Sequence, residues 1–149
     1  MKKILPLILI LILNNCSGYK PIFANKQFNY YISEIVNVNN DNISKKIIKN
    51  LKPFKDNKGK KEVSLELKSQ ISENVVSRDA KGDPLVYEIK IEVDIKIIQK
   101  GNEKILKLKE SFTFNNQPNK FELSQYKNNL IENLTDRIFE KIILNLQSI

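Results

Sequence analysis

The sequence predicts an α+β protein: a two-layer sandwich in which a mostly antiparallel sheet of about four strands carries two helices packed on one face. Three observations predict it. Leu85, Tyr87, Ile89, Ile91, Val93, Ile95 and Ile97 alternate with Glu88, Lys90, Glu92, Asp94 and Lys96, the period-two pattern of a half-buried antiparallel strand. Tyr126, Leu130, Leu134, Ile138, Ile142 and Leu146 recur every four residues, the stripe of an amphipathic helix. Between and before them the elements fall in the order strand, helix, two or three strands, helix, which packs best as helices laid on one side of a sheet.

Taken in order, the first strand is predicted over Phe28 to Val38. Phe28, Tyr30, Ile32, Val36 and Val38 stand there in rough alternation with polar residues. The cluster Asn39-Asn40-Asp41-Asn42 turns the chain and supplies a helix cap. Ile43, Ile47, Ile48 and Leu51 then mark one face of a short helix, with Lys45, Lys46 and Lys49 outside it, and Pro53 ends it. After a basic loop around Gly59, the alternation of Val63, Leu65 and Leu67 predicts a second strand that continues to Val76 with a bend near Ser72-Glu73-Asn74. Ser77 to Pro84 is a turn cluster, and the long alternating strand follows it. Gly101-Asn102 reverses the chain. Leu106, Leu108, Phe112 and Phe114 build the returning strand of a hairpin. Asn119, with Glu122 three residues later, predicts a capped helix start. The last helix then runs to about Gln147, with Leu123, Ile131 and Phe139 widening its apolar row. At 1.5 Å per residue it spans about 40 Å, a match for the hairpin it is expected to cover.

The start of the chain carries a different message. Lys2 and Lys3 precede an apolar run from Ile4 to Leu13. That is too short for a bilayer span, which takes about 20 residues, and it matches the apolar region of an export signal. Cys16, the single cysteine, follows directly. Leu13-Asn14-Asn15-Cys16 places a leucine three residues ahead of the cysteine, as a bacterial lipidation site does, although Asn15 stands where Gly, Ala or Ser is usual. The expectation is a lipoprotein signal peptide over 1–15, a lipidated tether over 16–27 and one α+β domain over 28–149. Acylated Cys16 then holds the protein on a membrane, since two or more acyl chains anchor stably. Ser17 rather than Asp after the cysteine favours the outer membrane, with the domain on its periplasmic face. Tyr19, Pro21 and Phe23 give the tether an extended, partly apolar character suited to docking.

Composition narrows the function. Of 25 basic residues Lys2 and Lys3 leave with the signal, so the remainder against 17 acidic residues carries a net charge of +6. There is no histidine, which removes the usual general base and the commonest metal ligand. Four glycines fall in none of the phosphate-cradling motifs. No cofactor, no metal and no catalysis are expected: the chain reads as a binding protein. Its basic balance is no sign of nucleic acid, because an exported chain lacking an aromatic-basic platform offers single strands nothing to stack on. Arg78 and Lys81 stand close together in the turn before the long strand, whereas Lys107 and Lys109 read as a solvated face balanced by carboxylates.

Together these landmarks resemble the lipopolysaccharide-assembly lipoprotein family, LptE, in its α-proteobacterial form. The resemblance rests on Cys16, on the segment Gly18-Tyr19-Lys20-Pro21-Ile22-Phe23, and on the strand–helix–strands–helix order. It extends through Asp83-Pro84, the alternating strand and its partner, the Asn-rich turn and a helix opening near Phe121. It implies a plug and chaperone inside an LptD-like outer-membrane β-barrel, a part in lipopolysaccharide transport and insertion, and no enzymatic activity. With that role the phosphates of lipid A become the natural partners of basic side chains, and Arg78 and Lys81 the candidate contacts. The second expectation is an accessory lipoprotein of another envelope lipid-transport or scaffold complex.

Overall fold

The computed structural model describes residues 29–55 and 59–148. The expected signal and tether, with Cys16, Tyr19, Pro21 and Phe23, lie outside the described residues. Strand β1 covers Tyr30–Asn37, helix α1 Asn42–Leu51 with a 3-10 turn at Lys52–Phe54, β2 Lys61–Arg78, β3 Pro84–Gln99, β4 Asn102–Asn115 and helix α2 Lys120–Gln147. The sheet order is β1-β2-β3-β4. The strands β2, β3 and β4 form an antiparallel meander, while β1 pairs with β2 in parallel, Tyr30 beside Lys61 and Asn37 beside Leu67. A parallel neighbour requires a crossover, and α1 is that crossover. The expected α+β sandwich is therefore the observed one, with a mixed sheet.

Local chemistry explains the boundaries. Asp41 caps α1 by accepting the Ser44 N–H at 2.7 Å. Pro53 falls inside the closing 3-10 turn. The tight β3–β4 turn places Lys100 and Gly101 at φ 49° and 81°, the left-handed pair that a two-residue hairpin demands. Asn119 Oδ1 accepts the N–H groups of Phe121 and Glu122 at 3.0 and 3.4 Å. The expected capping box closes differently: Glu122 receives the Asn119 side-chain amide at 3.0 Å. At Gly59 a Cβ would collide with the Tyr30 backbone, so the loop returning to β2 passes against β1 only because that residue is glycine.

The core is a single layer between the helices and one sheet face. Ile32, Val63, Leu65, Leu67, Ile89, Ile91, Val93, Ile95 and Ile97 line its sheet side, and Ile43, Ile47, Leu51, Leu134, Ile138, Ile142, Ile143 and Leu146 its helix side. Three expectations need correction. The bend at Ser72-Glu73-Asn74 does not occur. These residues pair in register with Lys90, Ile89 and Glu88, and the irregularity sits instead between Val75 and Ser77. The turn is shorter than Ser77–Pro84, because Arg78 and Pro84 are themselves paired. Tyr126 is not core but 36% exposed. A four-residue step overshoots the helical turn by about 40°, so the row winds around α2 and puts Tyr126 at the rim of the core, its ring edge-on to Phe114 at 5.7 Å. Thr135 and Ile143, off the row, are fully buried in compensation.

Candidate functional site

Arg78 and Lys81 sit where the sequence placed them, both exposed on the β2–β3 turn at the far end of the meander. The turn is tied by Asp79, whose Oδ1 accepts the backbone N–H groups of Lys81 and Asp83 at 2.9 and 2.8 Å. Asp79 N–H donates to the Asp83 carbonyl at 2.8 Å and Gly82 N–H to the Asp79 carbonyl at 3.0 Å. Gly82 takes φ 90° there, a conformation open to glycine and costly for other residues. Arg78 Nη1 donates to the Gly82 carbonyl at 2.8 Å. The guanidinium is thus folded over its own turn, with the rest of its fork toward solvent. Asp79 and Asp83 match the two cations in number. The turn is closed by its own hydrogen bonds, and Arg78 is one of the groups that close it.

The sheet face away from the helices is the other polar surface. A strand places alternate side chains on opposite faces, so this face collects the residues between the core positions. Lys107 lies opposite Asp94, which lies opposite Lys68; Lys109 lies opposite Glu92, which lies opposite Gln70. These residues line a shallow depression of about 400 Å³. The alternation of sign across three strands is complementary pairing, each worth a few tenths of a kcal/mol to about 1 kcal/mol. Lys107 and Lys109 thus face Asp94 and Glu92 across the β3–β4 pairing, while Glu92 forms its ion pair with Lys90 at 3.2 Å. Nearer the hairpin end, Lys96 meets Glu103 at 2.6 Å. That hydrogen bond, with the Glu103 and Glu66 charges, holds the ammonium above its ordinary pKa.

The helix face carries its own ion pairs. Lys127 of α2 reaches across the sheet to Glu73 of β2 at 2.5 Å, and its ammonium lies 4.8 Å from the Tyr87 ring centroid. Lys141 pairs with Glu110, and Lys46 joins the two helices through Glu132 and Asp136 at 3.4 and 3.2 Å. Under α1, Asp41, Ser44 and Ser69 form a compact hydrogen-bonded cluster. Burial raises the Asp41 carboxyl, but the hydrogen bonds from Ser44 and Ser69 outweigh it and hold the group below the usual carboxylate value. Sequence reasoning found Asp41 only as one of four cap candidates and missed Ser69. A serine at a core position of β2 was the available signal. Among the described residues, no group of three or more Cys, Asp or Glu is placed to hold a metal, and no helix is long and apolar enough to cross a membrane.

No protein-family model matches the chain, and no curated protein does. Solved structures do match. Rare lipoprotein B from Shewanella oneidensis superposes with a TM-score of 0.65 at 13% identity, over 79% of this chain and 94% of that one. The solution structure of an uncharacterized lipoprotein B from Nitrosomonas europaea gives 0.56 at 11% identity, over 87% and 88%. Identities this low establish the architecture alone: the chain has the fold of these bacterial lipoproteins.

Proposed function

We propose that the protein is a lipid-anchored envelope protein that works as a plug and chaperone for an LptD-like outer-membrane β-barrel in lipopolysaccharide transport and insertion. The observation that carries this reading is the coincidence of two independent features. Cys16 stands behind a short basic and apolar leader, and the domain beyond it has the architecture of two proteins called lipoprotein B. The anchor supports an envelope location, and Ser17 after the cysteine supports the outer membrane. Two surfaces support a binding role: a hydrogen-bonded turn bearing Arg78 and Lys81, and a solvated sheet face that mixes basic and acidic side chains. In this reading Arg78 and Lys81 meet the phosphates of lipid A, which charge-assisted hydrogen bonds recognise well, and Tyr19, Pro21 and Phe23 dock the tether.

The test is purification of the tagged full-length protein from outer membranes, with mass spectrometry of the eluate and of the N-terminal peptide. The expected result is an acylated Cys16 and a β-barrel protein in stoichiometric yield. Acylated Cys16 with no barrel would replace the plug reading by that of an accessory lipoprotein of another lipid-transport complex. An unmodified Cys16 would overturn both.

A further inference from the structure

Strand β2 is paired along one edge by β3 from Ser64 to Arg78, but on its other edge β1 stops at Asn37, opposite Leu67. The last backbone bond on that side is Val38 N–H to the Leu67 carbonyl at 2.9 Å, and beyond it the Asn39 side-chain amide reaches the Ser69 carbonyl at 3.5 Å. Leu67 and Ser69 thus direct their backbone groups to this edge. Alternate residues along a strand share a direction, so Ile71, Glu73 and Val75 turn their N–H and C=O groups the same way. Among the described residues no strand pairs with them.

This stretch has a charge on its helix side, Glu73, and a bulge after Val75, but none of the other usual protection. Natural edges are blunted by lysines, by prolines or by brevity. The other long edge strand, β4, carries Lys104, Lys107 and Lys109, and β1 has only eight residues. From Gln70 to Ser77 there is no Lys, Arg or Pro. The only charge there, Glu73, is held by Lys127, while Ile71, Val75 and Val76 are 44%, 37% and 56% exposed. The irregularity between Val75 and Ser77 ends the regular stretch.

We propose that the β2 edge from Ile71 to Val75 is a strand-addition site for an extended segment of the barrel partner, an inference that rests on the barrel-partner reading above. Only backbone in the β conformation supplies donors and acceptors at this spacing. The matching segment carries apolar β-branched or aromatic residues beside Ile71 and Val75, and a Lys or Arg beside Glu73. Two other occupants fit worse. The chain's own N-terminal segment arrives at the wrong end, because Tyr30 lies beside Lys61, about 34 Å along the strand from Ile71. Only residues 16–20 could then reach the edge, on a fully taut chain. A second copy paired antiparallel about Glu73 sets two carboxylates directly opposite, a repulsive pair. Shifting that register by one step runs into Ser69, whose carbonyl Asn39 occupies, or into the irregularity after Val75.

The full-length protein is co-expressed with its barrel partner, with a photo-cross-linking residue at Ser72, at Asn74 or, as control, at Ser111 on β4. Cross-links from Ser72 and Asn74 to an extended stretch of the barrel chain, absent from Ser111, are expected. Glu73→Pro removes an N–H that faces the free edge and none that β3 uses, a setting where proline is tolerated. It should cut barrel recovery at least tenfold while the domain still melts cooperatively, and Ile71→Lys should do the same without touching the backbone. Full barrel recovery with silent Ser72 and Asn74 and with both variants unaffected would overturn the edge site and leave the barrel reading standing. Cross-links between two copies of this chain would overturn it in favour of self-association. Loss of the barrel from the unsubstituted protein would overturn both.

Discussion

The hydroxyls of Ser44 and Ser69 lie 3.0 Å apart in the core, one in the first turn of α1 and the other at a core position of β2. Asp41 joins them, accepting from the Ser69 hydroxyl and from the Ser44 backbone. The cluster ties the crossover helix to the strand it serves. It also lies where β1 gives out and β2 becomes a free edge.

Ser69→Ala should destabilise the domain by about 1–3 kcal/mol, because it strips partners from the buried Ser44 hydroxyl and from Asp41. Urea denaturation should show a lower midpoint with an unchanged slope. A neutral substitution would mean that the cluster orients α1 without stabilising it.

The Asp41 carboxyl is held below its ordinary value of 3.8 in the fold. Below that value the unfolded chain binds the proton first, so stability present above it is lost as pH falls through the folded pKa. Asp41→Asn keeps a helix-capping side chain and should flatten the acid limb of a melting-temperature profile below pH 4. Tyr30 gives the opposite limb. Burial raises its phenol to about 12 from 10.0. The unfolded chain loses that proton first, so stability falls as pH rises from 10 to 12, and Tyr30→Phe should remove this fall.

Ile138→Ala and Ile143→Ala should each cost about 2–5 kcal/mol, since both side chains are fully buried. Removing the chain after Leu134 takes away Ile138, Ile142, Ile143 and Leu146 together and should abolish the cooperative thermal transition. A sharp transition in that truncated protein would mean the meander and α1 hold a core by themselves.

Ala at Arg78 and Lys81 together should weaken lipopolysaccharide binding several-fold at low salt, and the difference should shrink as salt is added. Surface plasmon resonance on the full-length protein would read both effects. Equal affinity at low salt would assign the turn to shape alone.

The sequence disclosed whatever a repeated period could disclose. The alternation from Leu85 to Ile97 and the row from Leu130 to Leu146 were legible because each burial event recurs at a fixed spacing. Features resting on one residue were less so. Ser69 looks polar and so looks out of place in a core, yet Asp41 and Ser44 satisfy it. Ile143 lies off the four-residue row because that row winds around the helix. The parallel placement of β1 is invisible in its own residues, since either direction would bury Ile32. Of the candidate site, Arg78 and Lys81 were readable as turn cations, but Asp79 tying the turn and Arg78 lying on the Gly82 carbonyl depend on backbone geometry that composition does not carry.

The mixed order of the sheet also divides the chain in time. Gln99 meets Asn102 across a tight turn, whereas Tyr30 meets Lys61 only after α1 and its loop are in place. Local closure is fast and distant closure slow, because loop entropy is spent before the contact is made. The meander should therefore zip early and β1 should dock last. A chain that emerges from its N-terminus presents β1 before its partner strand, so the first strand to arrive has to wait for the one that holds it. Pulse-labelled hydrogen exchange during refolding should find the amides of Ile89 to Ile97 protected ahead of those of Ile32 and Ile35.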